Sequence, residues 1–130
     1  MSHISRRTTA MVEKSHLIAA LTAKGGVVSE NADLRYYAGQ KARAEVVVGH
    51  SSFQRGYDLG FNKNPATRTY EAVGDLSMMG RSAQDFLDEL TQEYGVQESL
   101  AAAANAGYEV ESIETLATGE RKVRLTVTVA

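Results

Sequence analysis

Residues 57–76 constrain the fold of this chain more than any other segment. They read YDLGF, a polar corner that holds the only proline, then TYEAVGDL. Apolar and polar residues alternate in two matched runs, the pattern of a β-hairpin with one oily and one acidic face. Tyr57, Leu59 and Phe61 point one way, and Asp58, Gly60 and Asn62 the other. Asn64, Pro65 and Ala66 form the corner, where proline presets φ and asparagine can bond its own backbone. The fold must therefore contain antiparallel strands.

The same period recurs at the end of the chain. Over 122–129, Val123, Leu125, Val127 and Val129 alternate with Arg124, Thr126 and Thr128. This strand follows another over 108–115, across a turn through Thr118 and Gly119. Further strands are expected over 2–10, 34–37 and 44–49, the last two joined by a turn at 38–41. A helix is expected over 13–24, with Leu17, Ile18 and Leu21 on one face and Gly25 and Gly26 at its end. Ser82 is the expected N-cap of a second helical region, with Asp85 at the capping-box position. Its apolar stripe of Phe86, Leu87, Leu90 and Tyr94 resumes out of phase at Val96 and Leu100. That slip predicts a kink or break at Gly95 and two helices in succession. The order gives a single α+β domain over 1–130, with helices on one face of a largely antiparallel sheet. A ferredoxin-like arrangement is one option that pattern alone leaves open.

Composition narrows the class. A chain of 130 residues, 43% hydrophobic and 23% charged, has ordinary globular make-up, and at this size it can bury roughly two-thirds of its unfolded surface. Zero cysteines exclude disulfides, thiolate metal sites and cysteine nucleophiles, and fit a reducing cytosol. A net charge of −2 disfavours nucleic acid as a main partner. No apolar run approaches the ~20 residues that span a bilayer, and the first ten residues lack the apolar stretch of a secretory signal. A soluble, cytoplasmic protein without a membrane partner is expected.

Chemistry is harder to find. The sequence has no P-loop, no dinucleotide fingerprint, no HExxH and no nucleophile elbow. Lys24-Gly25-Gly26 falls at a helix C-terminus, whose dipole repels anions, so a C-cap is the plainer reading. His3, His16 and His50 have no ligand spacing, although His3 and His50 lie at strand ends that could meet. Asp58, Glu71 and Asp75 lie on the two arms of the hairpin. If they converge, mutual repulsion would favour a general acid or a cation site; if not, they form a solvated sheet face. Arg35, Tyr36, Tyr37, Gln40, Lys41 and Arg43 make a basic, aromatic cluster around one turn. Such a patch could hold a nucleotide by stacking and charge, or simply protect an edge strand. The helical acids Asp85, Asp88, Glu89 and Glu93 read as a solvated face open to a basic partner.

An ordered set of short runs resembles one family. These are MSHIS at the start, YYAGQKARAEVVV, YDLGFN, YEAVGDL, FLDELTQEYGVQESL, and GYEVE before a strand-rich end. Together they resemble the hypothetical chloroplast reading frame thirty-five family, also catalogued as domain of unknown function twelve fifty-seven. The resemblance runs nearly full length and implies kinship with plastid, cyanobacterial, other bacterial and phage proteins. It brings no catalytic residues to carry over, and an accessory role beside AAA-type ATPases by association only. The alanine-rich run after Leu100 and the SMMGR after Asp75 depart from the family pattern.

Two functional readings follow. In the first, the chain is a non-enzymatic interaction or accessory module that docks a protein partner or itself. In the second, it binds a small ligand, such as a nucleotide or another phosphate-bearing molecule, through Arg35, Tyr37, Gln40, Lys41, Arg43, Asp58 and Asp75. Neither reading calls for a metal or cofactor, and an enzyme acting through Asp58 and Asp75 ranks third.

Overall fold

The structure, a computed structural model, describes residues 4–35, 41–53 and 56–127, apart from the side chains of Lys41 and Val127. The elements are β1 (Ser5–Thr8), α1 (Lys14–Ala23), β2 (Val27–Arg35), β3 (Lys41–Gly49), β4 (Leu59–Lys63), β5 (Tyr70–Gly74), α2 (Leu76–Met79), α3 (Arg81–Ala106), β6 (Tyr108–Thr115) and β7 (Arg121–Val127). This is an α+β fold. Strands β2 to β5 form an antiparallel meander, and β1 joins the far side of β5, giving the order β1-β5-β4-β3-β2. Strands β6 and β7 form a separate two-stranded sheet. The interleaved strand order of a ferredoxin-like sheet is not the one found, because every neighbour within the meander is joined by a local hairpin.

The 57–76 hairpin becomes β4 and β5, with Phe61 opposite Ala72 and Lys63 opposite Tyr70. At its corner Asn64 Oδ1 accepts from the Ala66 amide at 2.9 Å. Leu59, Phe61, Tyr70 and Ala72 pack on the helix side with Leu17 and Leu21 of α1 and with Phe86 and Leu90 of α3. Each large side chain buried this way contributes about 1.5–3 kcal/mol. Helix α1 has no side-chain N-cap. Instead the Tyr94 hydroxyl accepts from the amides of Val12 at 3.1 Å and Glu13 at 2.9 Å.

The reverse of the sheet is covered by its own chain. Unbroken alternation would put Ala42, Ala44, Val46 and Val48 on one face. Yet Val46 and Val48 belong to the helix-side core, whereas Ala44 packs with Leu34, Val47 and Val73 in a second cluster, with Ala42 beside it. The β2–β3 hairpin therefore turns over between Glu30↔Val46 and Ala32↔Ala44. Asn31 lies in the left-handed region there, with φ 48°, and the Glu45 amide donates out of the ladder to Asn62 Oδ1 at 2.8 Å. Beyond that bend, Leu34 and Ala44 land on Gly60: a Cβ at that position would sit 2.7 Å from Ala44 Cβ and 2.8 Å from Leu34 Cδ2.

Two helical expectations need correction. Helix α3 runs unbroken from Arg81 to Ala106, straight through Gly95. The stripe slips because the helix changes partners: Phe86, Leu87, Leu90 and Tyr94 face the main core, while Gly95, Val96 and Ser99 border β7. Ser82 is not an N-cap. A short α2, capped by Asp75 through the Met78 amide, precedes α3. Gly80, at φ 66°, joins the two helices, and the Ser82 hydroxyl donates to the Met79 carbonyl at 2.9 Å. Among the described residues, no helix is long and apolar enough to cross a membrane.

Candidate functional site

The fold-over of β2–β3 brings together two of the nominated residues from distant segments. Asp58, just before β4, is 6% exposed and meets Arg35 at the end of β2 in a forked pair. Arg35 Nε donates to Oδ2 at 3.0 Å and Nη2 donates to Oδ1 at 3.1 Å. The Arg35 amide also donates to Oδ2 at 2.8 Å, and the Asp58 amide donates to the Arg35 carbonyl at 2.9 Å. Hydrogen bonding to Asp58, and then its charge, hold the Arg35 guanidinium above its ordinary pKa. Side chain and backbone act together as a latch that holds the Arg35 end of β2 against the start of β4.

The other nominees do not converge on it. Arg43 lies 3.9 Å from Asp33 across the β2–β3 ladder. Asp75 is fully buried as the α2 cap, with Oδ2 lacking a partner among the described residues. Glu71 accepts from Asn64 at 3.4 Å. Tyr37 and Gln40, the side chain of Lys41, and His3 of the suggested His3–His50 meeting lie outside the described residues. No cluster of three His, Cys, Asp or Glu that could hold a metal occurs among the described residues.

Beside the latch runs an open polar cleft of about 590 Å³, bordered by Ser29, Asp33, Arg35, Gly49, His50 and Asp58. His50 is fixed rather than poised. Its Nε2 donates to the Lys24 carbonyl at 3.0 Å, and its Nδ1 accepts from the Ser52 amide at 3.1 Å, which assigns the neutral Nε2–H tautomer. The ring also packs against Phe53 and Phe86, with centroids 5.5 and 5.2 Å away.

The acidic face of α3 is solvated at Asp85, Asp88 and Glu89, as expected, and departs from that reading at Glu93. Asp88 pairs with Arg7 of β1 at 2.8 Å. Glu89 pairs with Lys24 at the end of α1. Glu93 is buried and pairs with Arg121 of β7, while Gln97 also donates to it at 3.4 Å. Cations from three separate elements converge on one helix, so these carboxylates join elements together. Glu93 is the extreme case, because β7 covers it.

A second feature went unread in the sequence. The C-terminal half of α3 and the β6–β7 hairpin form an arm with little burial: Tyr108, Val110, Ile113, Leu116 and Leu125 are each 39–41% exposed. Val110 pairs with Leu125 and Ile113 with Val123, after a bulge between Val110 and Ser112. These side chains share one face with Thr115 and Arg121, the face turned towards α3. Both strands contact α3, but open space remains between the hairpin and the helix. The remaining trough has openings of about 430, 320 and 310 Å³, floored by Gln92, Gly95, Ser99, Ala102 and Ala106 of α3. The signals were present as the alternation of β7 and as small residues at helical spacing, but nothing in the sequence says that they adjoin.

A family model described as "Protein of unknown function (DUF1257)" matches residues 20–125. No curated protein and no solved structure matches the chain.

Proposed function

The chain belongs to the DUF1257 family of proteins of unknown function, and for it we propose the role of a non-enzymatic interaction or accessory module that docks through the arm of α3 and β6–β7. The observation that carries this reading is the set of five large apolar side chains on the arm, each 39–41% exposed. An isolated two-stranded hairpin is marginal in water, and gains stability when its apolar face is covered. The candidate chemical groups support the same reading, since Asp58 is committed to Arg35, and Asp88, Glu89 and Glu93 to cations of other elements. Kinship with the hypothetical chloroplast reading frame thirty-five is part of the proposal and rests on the ordered motifs quoted above. So is a cytoplasmic location, supported by the absence of cysteine.

Affinity capture from native lysate tests the role, comparing the natural chain with Ile113→Lys and Leu125→Lys. The reading expects a reproducible partner that both substitutions lose while the melting temperature moves by only a few degrees. Capture that is indifferent to both substitutions counts against the arm as the docking element.

A second reading, small-ligand binding, has one observation in its favour. The Arg35 side chain, although held by Asp58, is 67% exposed and faces the 590 Å³ cleft. A nucleotide or phosphate at 100 times its Kd would add about 2.7 kcal/mol of stability. A thermal-shift screen that leaves the melting temperature unmoved eliminates it.

A further inference from the structure

The β6–β7 sheet has two strands, and among the described residues none pairs with the outer backbone edge of β7. Beside that edge lies the trough on α3. Beyond Gln92 its floor of Gly95, Ser99, Ala102 and Ala106 is low because none of these side chains extends beyond a hydroxymethyl group. Val123 and Leu125 form its wall on the β7 side. A free edge next to a shallow trough, apolar towards Tyr108 and Leu125 and polar around Gln92 and Arg121, is a geometry in which a strand is added to a sheet: the backbone pairs along the edge and alternate side chains drop into the trough. An added strand would lie about 4.7–4.9 Å from β7, over the small-residue floor.

Charge selects the kind of strand. Residues of β7 that point away from the trough include Lys122 and Arg124, both exposed, and neither makes an ion pair with a described residue. The chain already shows what suits β7, because β6 holds its other edge. There Tyr108, Val110 and Ile113 face inward, while Glu109 and Glu114 face out and Glu111 sits at the bulge. A second copy paired antiparallel about Val123 is disfavoured: it sets Lys122 opposite Arg124 of the copy, and like charges directly opposite destabilise a sheet.

We propose that the trough between the free edge of β7 and α3 receives an extended segment of a partner protein, in which apolar residues alternate with acidic ones, as a third strand of the β6–β7 sheet. This rests on the reading of the chain as an interaction module. It goes further in naming the occupant and the edge.

The test titrates two synthetic peptides into the full chain: YEVESIET, the β6 sequence, and YKVKSIKT, in which lysine replaces each glutamate. The expected result is binding of the acidic peptide at least tenfold tighter than the basic one, with slowed amide exchange in β7. Ser99→Trp or Ala102→Trp, both at exposed positions on the floor, should weaken it tenfold or more without lowering the melting temperature. Lys122→Glu combined with Arg124→Glu should reverse the preference. Equal binding of the two peptides, or no binding with no β7 protection, overturns the proposal. Sedimentation showing an oligomer that Ser99→Trp dissociates also overturns it, by giving the trough to a second copy. Lysate capture that Ile113→Lys abolishes but Ser99→Trp spares leaves the interaction module standing and removes this occupant.

Discussion

Gly60 shows how one residue can decide the architecture of a sheet. It lies on the reverse face, where a Cβ would come within 3.0 Å of Ala44, Leu34 and Val73 side-chain atoms. Leu34 of β2 and Ala44 of β3 can pack onto β4 only because that Cβ is absent. Gly60→Ala is expected to cost about 1–3 kcal/mol, the range for overpacking a filled core, and chemical denaturation would show it as a lower midpoint with an unchanged slope. Tyr70 carries a pH dependence. Burial first, then its hydrogen bond to Glu45 at 3.0 Å, hold its phenol well above the ordinary range. In the unfolded chain it titrates near about 10. Below that pH both states keep the proton and the contribution to stability is complete. As pH rises further the unfolded chain loses the proton while the folded chain keeps it, so stability falls. Unfolding free energies measured on both sides of pH 10 should show this decline, and Tyr70→Phe should flatten it.

At the scale of elements, α3 is the axis of the molecule: its N-terminal half belongs to the core and its C-terminal half carries the hairpin. Gly95 sits between the halves in ordinary helical geometry, and a Cβ there would meet nothing within 4 Å. Gly95→Ala should therefore stabilise the protein by about 0.5–1 kcal/mol, the helix-propensity difference, seen as a higher melting temperature. A break at this position would have predicted no such gain. The attachment of the hairpin depends on the buried Glu93–Arg121 pair. Removing one partner of a buried pair strands the other charge, at a cost of roughly 3–5 kcal/mol. The lower end applies here, since the Arg121 side chain is 25% exposed. Hydrogen exchange on Arg121→Gln should show faster exchange across β6 and β7 with the five-stranded sheet unaffected. Loss of protection in both sheets together would contradict this local role.

For the whole molecule, burial divides unequally between the five-stranded sheet with its helices and the arm. Leu17, Leu21, Val46, Leu59, Phe61 and Leu90 are fully buried, whereas no described residue of β6 or β7 is. Local opening free energies follow such differences. In the natural chain, amides of β6 and β7 should exchange by an opening of lower free energy than those of β3, β4 and β5, and exchange at one common free energy would refute the division. The α+β class, α1 and most strands were readable beforehand because period 2 and period 3.6 are local properties of a chain. Strand β6 was placed at its observed bounds, and Leu59 and Phe61 of the 57–76 hairpin on the observed oily side, but its other face, read as acidic and wet, is buried at Asp58, Gly60 and Val73. Arg35 and Asp58 could each be nominated from local pattern, but their pairing could not, because it depends on a bend at Asn31 and Glu45 that reverses side-chain parity. The continuity of α3 was missed for a related reason: a slip in an apolar stripe signals a break only if the helix keeps one partner. The amino-acid sequence by itself determined which segments alternate, where chains turn and which chemistries have no residues to support them. Only the tertiary structure decided which carboxylates became latches and where, among the described residues, a strand edge lies beside a trough, because those outcomes depend on contacts between segments far apart in the chain.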